Sequence, residues 1–174
     1  MIRLIRIIAG ISVLLIPLEI RAGAQIYEPM AASVRAGLAA SIAEEGSPKD
    51  GFSDRVQAAA WLSEMSSRLD RRLPDFRIRL DFLKMVDYEA TRAGLDPQVV
   101  LALIQVESNF RKYAVSSAGA RGYMQVMPFW VGLIGRHGDN LFNPRTNLRF
   151  GCVILKHYLD IEKGNLTRAL ARYN

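Results

Sequence analysis

The sequence predicts a mainly α-helical domain. Three observations carry that expectation. Half of the 174 residues are hydrophobic and 23% are charged, enough for one buried core. Apolar residues recur at spacings of three and four, and no stretch alternates cleanly with a period of two. Start and stop signals such as Asp96-Pro97 and Gly94 punctuate those runs.

The first 24 residues stand apart. Arg3 and Arg6 form a short positive region, Ile7 to Leu18 an apolar one, and Ala22-Gly23-Ala24 a small-residue cleavage motif. The apolar run falls short of the roughly 20 residues that span a bilayer. Residues 1–24 are therefore expected to be a signal peptide cleaved after Ala24, giving a periplasmic or secreted protein that begins at Gln25, with no stable membrane insertion. An uncleaved anchor is the competing expectation.

Residues 25–74 read as an N-terminal helical extension. Val34, Leu38 and Ile42 mark a weak first helix, and the breakers from Gly46 to Gly51 place a linker near 46–52. Ser53 is a candidate cap for a second helix, with Ala58, Leu62, Met65, Leu69 and Leu73 on one face and Pro74 ending it. From 75 to 174 the chain reads as the main domain. Asp75 caps a third helix with Leu80, Leu83 and Val86 inside and Gly94 as its stop. Asp96 and Pro97 start a fourth, apolar on nearly all sides from Val99 to Val106 and so expected to be buried. Leu148, Cys152, Leu155 and Leu159 mark a later helix ending at Gly164. Asn165 then caps a last one that puts Leu166, Leu170 and Tyr173 on one face.

Several function classes drop out. One cysteine, Cys152, excludes an intramolecular disulfide, and it is expected to be buried. His137 and His157 lack zinc-ligand spacing, so neither metal nor cofactor is expected. The net charge of +6 suits an anionic partner, and the leader argues against nucleic acid. Residues 25–107 carry ten basic and thirteen acidic side chains, whereas residues 108–174 carry ten basic and three acidic ones.

Glu107 is the candidate catalytic residue. It ends the most hydrophobic helix, on the same face as Val100, Leu103 and Ile104, where desolvation raises a carboxyl pKa toward that of a general acid. From Ser108 to Gly138 there is no Asp or Glu. Ser116 to Pro128 is rich in Gly, Ala and Ser and reads as a loop or small hairpin beside the end of that helix. Tyr113, Tyr123, Phe129 and Trp130 are candidates for stacking on sugar rings, with core packing the stronger expectation for Trp130.

Three groups of residues carry a resemblance. Glu107-Ser108-Asn109-Phe110, then Ser116-x-x-Gly119-Ala120-x-Gly122-Tyr123-Met124-Gln125, then Ala171-Arg172-Tyr173-Asn174 resemble the motifs of the soluble lytic transglycosylases. Asn143-Pro144 with Asn147 and Gly151 resembles that family's connection into its next helix. The likeness runs from about Asp75 to Asn174. It departs at Tyr123, where the family commonly has Leu, and at Arg172, which interrupts the last motif. The family continues past this point with a Gly and another helix, so the domain is expected to be truncated at its C-terminus.

The resemblance implies a lysozyme-like helical fold with a small loop or hairpin after the catalytic helix. It implies cleavage of the β-1,4 bond between N-acetylmuramic acid and N-acetylglucosamine in peptidoglycan strands without water, leaving 1,6-anhydro ends. Glu107 would act as acid and then base; Ser108, Met124 and Gln125 would line the sugar cleft, and Tyr173 would sit near Glu107. No second carboxylate is then needed, unlike most glycosidases. Two alternatives stay open. One is a goose-type hydrolytic muramidase, with Asp139 as the nearest downstream carboxylate. The other is a non-catalytic peptidoglycan-binding module of a secretion apparatus.

Overall fold

The computed structural model describes residues 25–43 and 55–174. The expected leader, the linker near 46–52 and the Ser53 cap lie outside the described residues. Among the described residues seven helices follow one another: α1 (Ala32–Ala43), α2 (Arg55–Leu69), α3 (Phe76–Arg92), α4 (Pro97–Ser108), α5 (Phe129–Ile134), α6 (Pro144–Ile161) and α7 (Leu166–Tyr173). The class is mainly α.

The caps explain why the helices begin where they do. The Asp75 carboxylate accepts the Ile78 N–H at 2.9 Å, and the Asp96 carboxylate accepts that of Gln98 at 2.7 Å. Asn143 accepts from Arg145 and Thr146, and Asn165 from Arg168. Each such cap contributes about 1 kcal/mol by satisfying an N–H that the helix cannot.

Packing centres on α6. It lies against α1, α3 and α7, while α3 also packs on α2 and α4. One apolar core unites these elements, with Leu83, Val86, Ile104, Leu148, Ile154 and Leu155 at its heart. Ile42 of α1 and Met65 and Leu69 of α2 join the same core. Buried Arg79 fixes the corner between α2 and α3. It donates to the Ser66 hydroxyl at 2.8 Å and to the Leu73 carbonyl at 2.5 Å.

Several expectations need correction. α2 ends at Leu69, four residues before Leu73, because the Arg72 and Leu73 N–H groups both turn back onto the Leu69 carbonyl. Val34 is exposed, so only the end of the α1 stripe is inside. α4 is not buried on all sides: Val106 is 66% exposed, since α3 covers one face of the helix. On α7 the inward face is Ala169 and Tyr173, and Leu166 is exposed. The six-residue α5 was not expected, though Trp130 within it is core, as anticipated.

The segment after α4 is the expected small hairpin in reduced form. Arg121 pairs with Val115 on one side and with Val126 on the other, as two isolated antiparallel bridges. Among the described residues no helix is long and apolar enough to cross a membrane.

Candidate active site

α4 delivers Glu107 to the interior. Val100, Leu103 and Ile104 bury one face of the helix, and Glu107 continues it one and two turns on. The residue is 5% exposed, and neither carboxylate oxygen has a hydrogen-bond partner. Burial alone pushes its pKa up to about 7. A buried charge without a partner is expensive, so the carboxyl keeps its proton until the pH reaches about 7.

The chain reverses sharply just beyond. Asn109 and Phe110 both have positive φ, 48° and 62°. Asn tolerates that region, but Phe does not do so readily. Two contacts hold the reversal. The Asn109 side-chain oxygen accepts from Arg72 at 2.8 Å, and the buried Phe110 ring packs edge-on to Phe82 at 6.1 Å.

The hairpin is then pinned to α6 by Asn147, which is almost fully buried. Its Oδ1 accepts the Met124 N–H at 2.8 Å, while its Nδ2 donates to the carbonyls of Arg121 and Leu141. Two glycines make room. A Cβ at Gly122, where φ is +76°, would strike the Asn147 amide and the Leu141 carbonyl. A Cβ at Gly151 would strike the Met124 side chain, which therefore lies directly on α6.

The expected site residues fall as follows. Ser108 is buried, and its hydroxyl donates back to the Ile104 carbonyl of its own helix. Met124 is fully buried. Gln125 has φ of 47°, and its buried amide donates to the carbonyls of Gly122 and Ala114, bracing the hairpin. Tyr173 is fully buried; its hydroxyl donates to the Met124 carbonyl at 2.8 Å and senses the charge of Glu107. Glu107, Met124 and Tyr173 are thus drawn together from α4, the hairpin and α7. Tyr123 packs on Phe82 in the core, whereas Tyr113 is exposed with Lys112 over its ring. Asp139 accepts the Arg136 N–H and closes a turn.

Sequence reasoning gave no role to two residues. Asn147 entered only as part of the resemblance around Asn143-Pro144, with no task of its own. Gln25 carried no signal. Its amide donates to the Gln125 carbonyl and accepts the Met127 N–H.

These features define a helical domain with a buried, unpartnered acid at the end of one helix, beside a braced hairpin. A family model for the transglycosylase SLT domain matches residues 84–174, more than half of the chain. The chain belongs to that family, whose lysozyme-like helical domain this is. Among curated proteins it is similar to membrane-bound lytic murein transglycosylase C of Mannheimia succiniciproducens, with 38% identity over 40% of this chain and 22% of the relative. The protein of that name from Actinobacillus pleuropneumoniae serotype 5b is 34% identical over 52% of this chain and 27% of its own length. That of Yersinia pestis is 33% identical over 52% and 28%. The chain thus spans about a quarter of the length of these relatives. No solved structure matches.

Proposed function

We propose that this chain is a peptidoglycan lytic transglycosylase with Glu107 as its catalytic acid and base. The observation that carries the reading is the Glu107 carboxyl, buried without a partner and held protonated to about pH 7. Family membership and the relatives' names supply the substrate, glycan strands of peptidoglycan. Glu107 protonates the glycosidic oxygen as the bond to N-acetylglucosamine breaks. The muramoyl C6 hydroxyl attacks its own anomeric carbon, and the Glu107 carboxylate takes the hydroxyl proton. The product carries a 1,6-anhydro end and the acid is restored.

One residue suffices because no water is activated. Burial is the whole cause of the raised Glu107 pKa, and among the described residues no carboxylate adds to it. That supports the single-acid route over a hydrolytic muramidase. The acid must be protonated at the start, so the rate falls as pH rises through about 7. Ser108, Met124, Gln125 and Tyr173 make up the surroundings of the reacting sugar in this reading. The first 24 residues act as a leader cleaved after Ala24, which delivers the domain to the periplasm. Local wall opening for a secretion machine is one setting such an enzyme serves.

Product analysis tests the proposal. Digestion of purified sacculi should release anhydro-muropeptides, identified by mass. Reducing muramic ends would instead establish a muramidase, and absence of release would establish a binding module.

A further inference from the structure

The hairpin beside Glu107 is tied to a point a hundred residues upstream. Gln25 is 3% exposed. Its Nε2 donates to the Gln125 carbonyl at 3.3 Å, and its Oε1 accepts the Met127 N–H at 3.2 Å. The Tyr173 hydroxyl, which donates to the neighbouring Met124 carbonyl, lies close to the same carboxamide. Residues 25–31 are held down at two further points. The Tyr27 ring meets Phe129 edge-on at 5.9 Å, and Glu28 pairs with Arg172, the neighbour of Tyr173, at 3.1 Å.

Gln25 and its neighbours lie outside residues 84–174, which match the family, while their partners lie inside it. A buried primary amide that uses both its donor and its acceptor on main-chain groups fixes those groups in one arrangement. Here they directly follow Met124, whose carbonyl accepts a hydrogen bond from the Tyr173 hydroxyl. The groups that act on the Tyr173 hydroxyl are Glu107 from α4, Cys152 and Tyr158 from α6, and Gln25 itself.

We propose that Gln25 is a positioning residue. It holds the Gln125–Met127 backbone and the Tyr173 hydroxyl in place relative to Glu107, so the segment 25–31 is part of the working enzyme. Gln25 acts through the hairpin and Tyr173, and this role rests on the transglycosylase reading. Small displacements of a reacting geometry are costly, up to about a hundredfold in rate for 1 Å.

The test uses the whole chain with Gln25→Leu and Gln25→Glu. Gln25→Leu should lower kcat about tenfold with KM changed less than about twofold, while its circular dichroism at the assay temperature remains that of the folded wild type and its melting temperature falls by only several degrees, as two main-chain groups lose their partner. Gln25→Glu places a carboxylate beside Tyr173. It should move the high-pH limb of kcat/KM upward by on the order of one pH unit, because added negative charge raises the Glu107 pKa. The Glu107 carboxyl resonance, followed by carbon-13 NMR, should titrate with the same displacement.

Three results would overturn the proposal: unchanged kcat in Gln25→Leu together with an unmoved Glu107 titration in Gln25→Glu; a rise in kcat, marking the segment as a plug in the cleft; or activity lost only in proportion to folded protein. If the wild type releases no anhydro-muropeptides, the transglycosylase reading fails. The NMR titration still decides whether Gln25 is coupled to Glu107.

Discussion

Among the described residues two glutamates are buried, Glu89 and Glu107, and their surroundings are opposite. Glu89 of α3 is fully buried and meets three guanidinium groups: Arg149 at 3.0 Å, Arg92 at 3.1 Å and Arg145 at 3.6 Å. Arg92 and Arg149 also donate to the Ser41 and Ile42 carbonyls, so this cluster fastens the end of α1 to the core. Glu107 is nearly as buried and has no hydrogen-bond partner at either oxygen. Burial with partners makes a carboxylate a joint in the fold. Burial without them raises the pKa toward neutral, so that a proton can be both given and retaken there.

The largest expected difference between the two is in turnover. Glu107→Gln should cut the release of anhydro-muropeptides by at least about 10²–10⁴-fold, the contribution of general acid–base catalysis. Its fold should be retained, since the amide is nearly isosteric. Wild-type turnover in this variant, measured on sacculi, would remove Glu107 from the mechanism and erase the contrast.

Next comes stability. Glu89→Leu should cost about 3–5 kcal/mol, because it leaves buried guanidinium groups without their carboxylate. Urea unfolding measures this, and the pH limb set by Glu107 should stay where it is. A cost below about 1 kcal/mol, the range of an exposed pair, would show that the cluster is ornamental.

The third difference has the opposite sign. The folded-state pKa of Glu107, about 7, lies above its ordinary 4.5. Below about 4.5 the group is protonated in both folded and unfolded chains and costs nothing. The penalty grows as pH rises and is complete above about 7, on the order of 3 kcal/mol. Glu107→Gln should therefore stabilise the protein at pH 8–9 and leave it unchanged near pH 4. Equal unfolding free energies of variant and wild type at both pH values would mean that the carboxylate is solvated.

Much of this was legible beforehand, for local reasons. Asp75, Asp96-Pro97 and Asn165 announce three helices because a cap acts within its own first turn. Glu107 could be placed inside because Val100, Leu103 and Ile104 share its face. What escaped was set by distance along the chain. Arg145 and Arg149 reach Glu89 from a helix nearly sixty residues on, and no spacing rule joins them. Gln25 engages residues a hundred positions away. The left-handed backbone at Phe110 and at Gln125, whose side chain braces the hairpin, also escaped, because neither residue type gives a sign of it. α5 is too short for its periodicity to register.

The Asn109–Phe110 reversal also bears on the order of events in time. Nothing local favours two successive left-handed residues there, and the strain is of the order of 1 kcal/mol or more for Phe110. It is offset only when the Phe110 ring reaches Phe82 and Arg72 reaches Asn109, contacts that require α2, α3 and α4 to have assembled already. The acid therefore acquires its setting after the scaffold exists. Phe110→Leu should accelerate unfolding and leave the refolding rate nearly unchanged in stopped-flow measurements. Slowed refolding would put the reversal in the folding nucleus. On this ordering a chain can collapse into helices before Glu107 is sealed from water, and competence for chemistry is the last property the polypeptide gains.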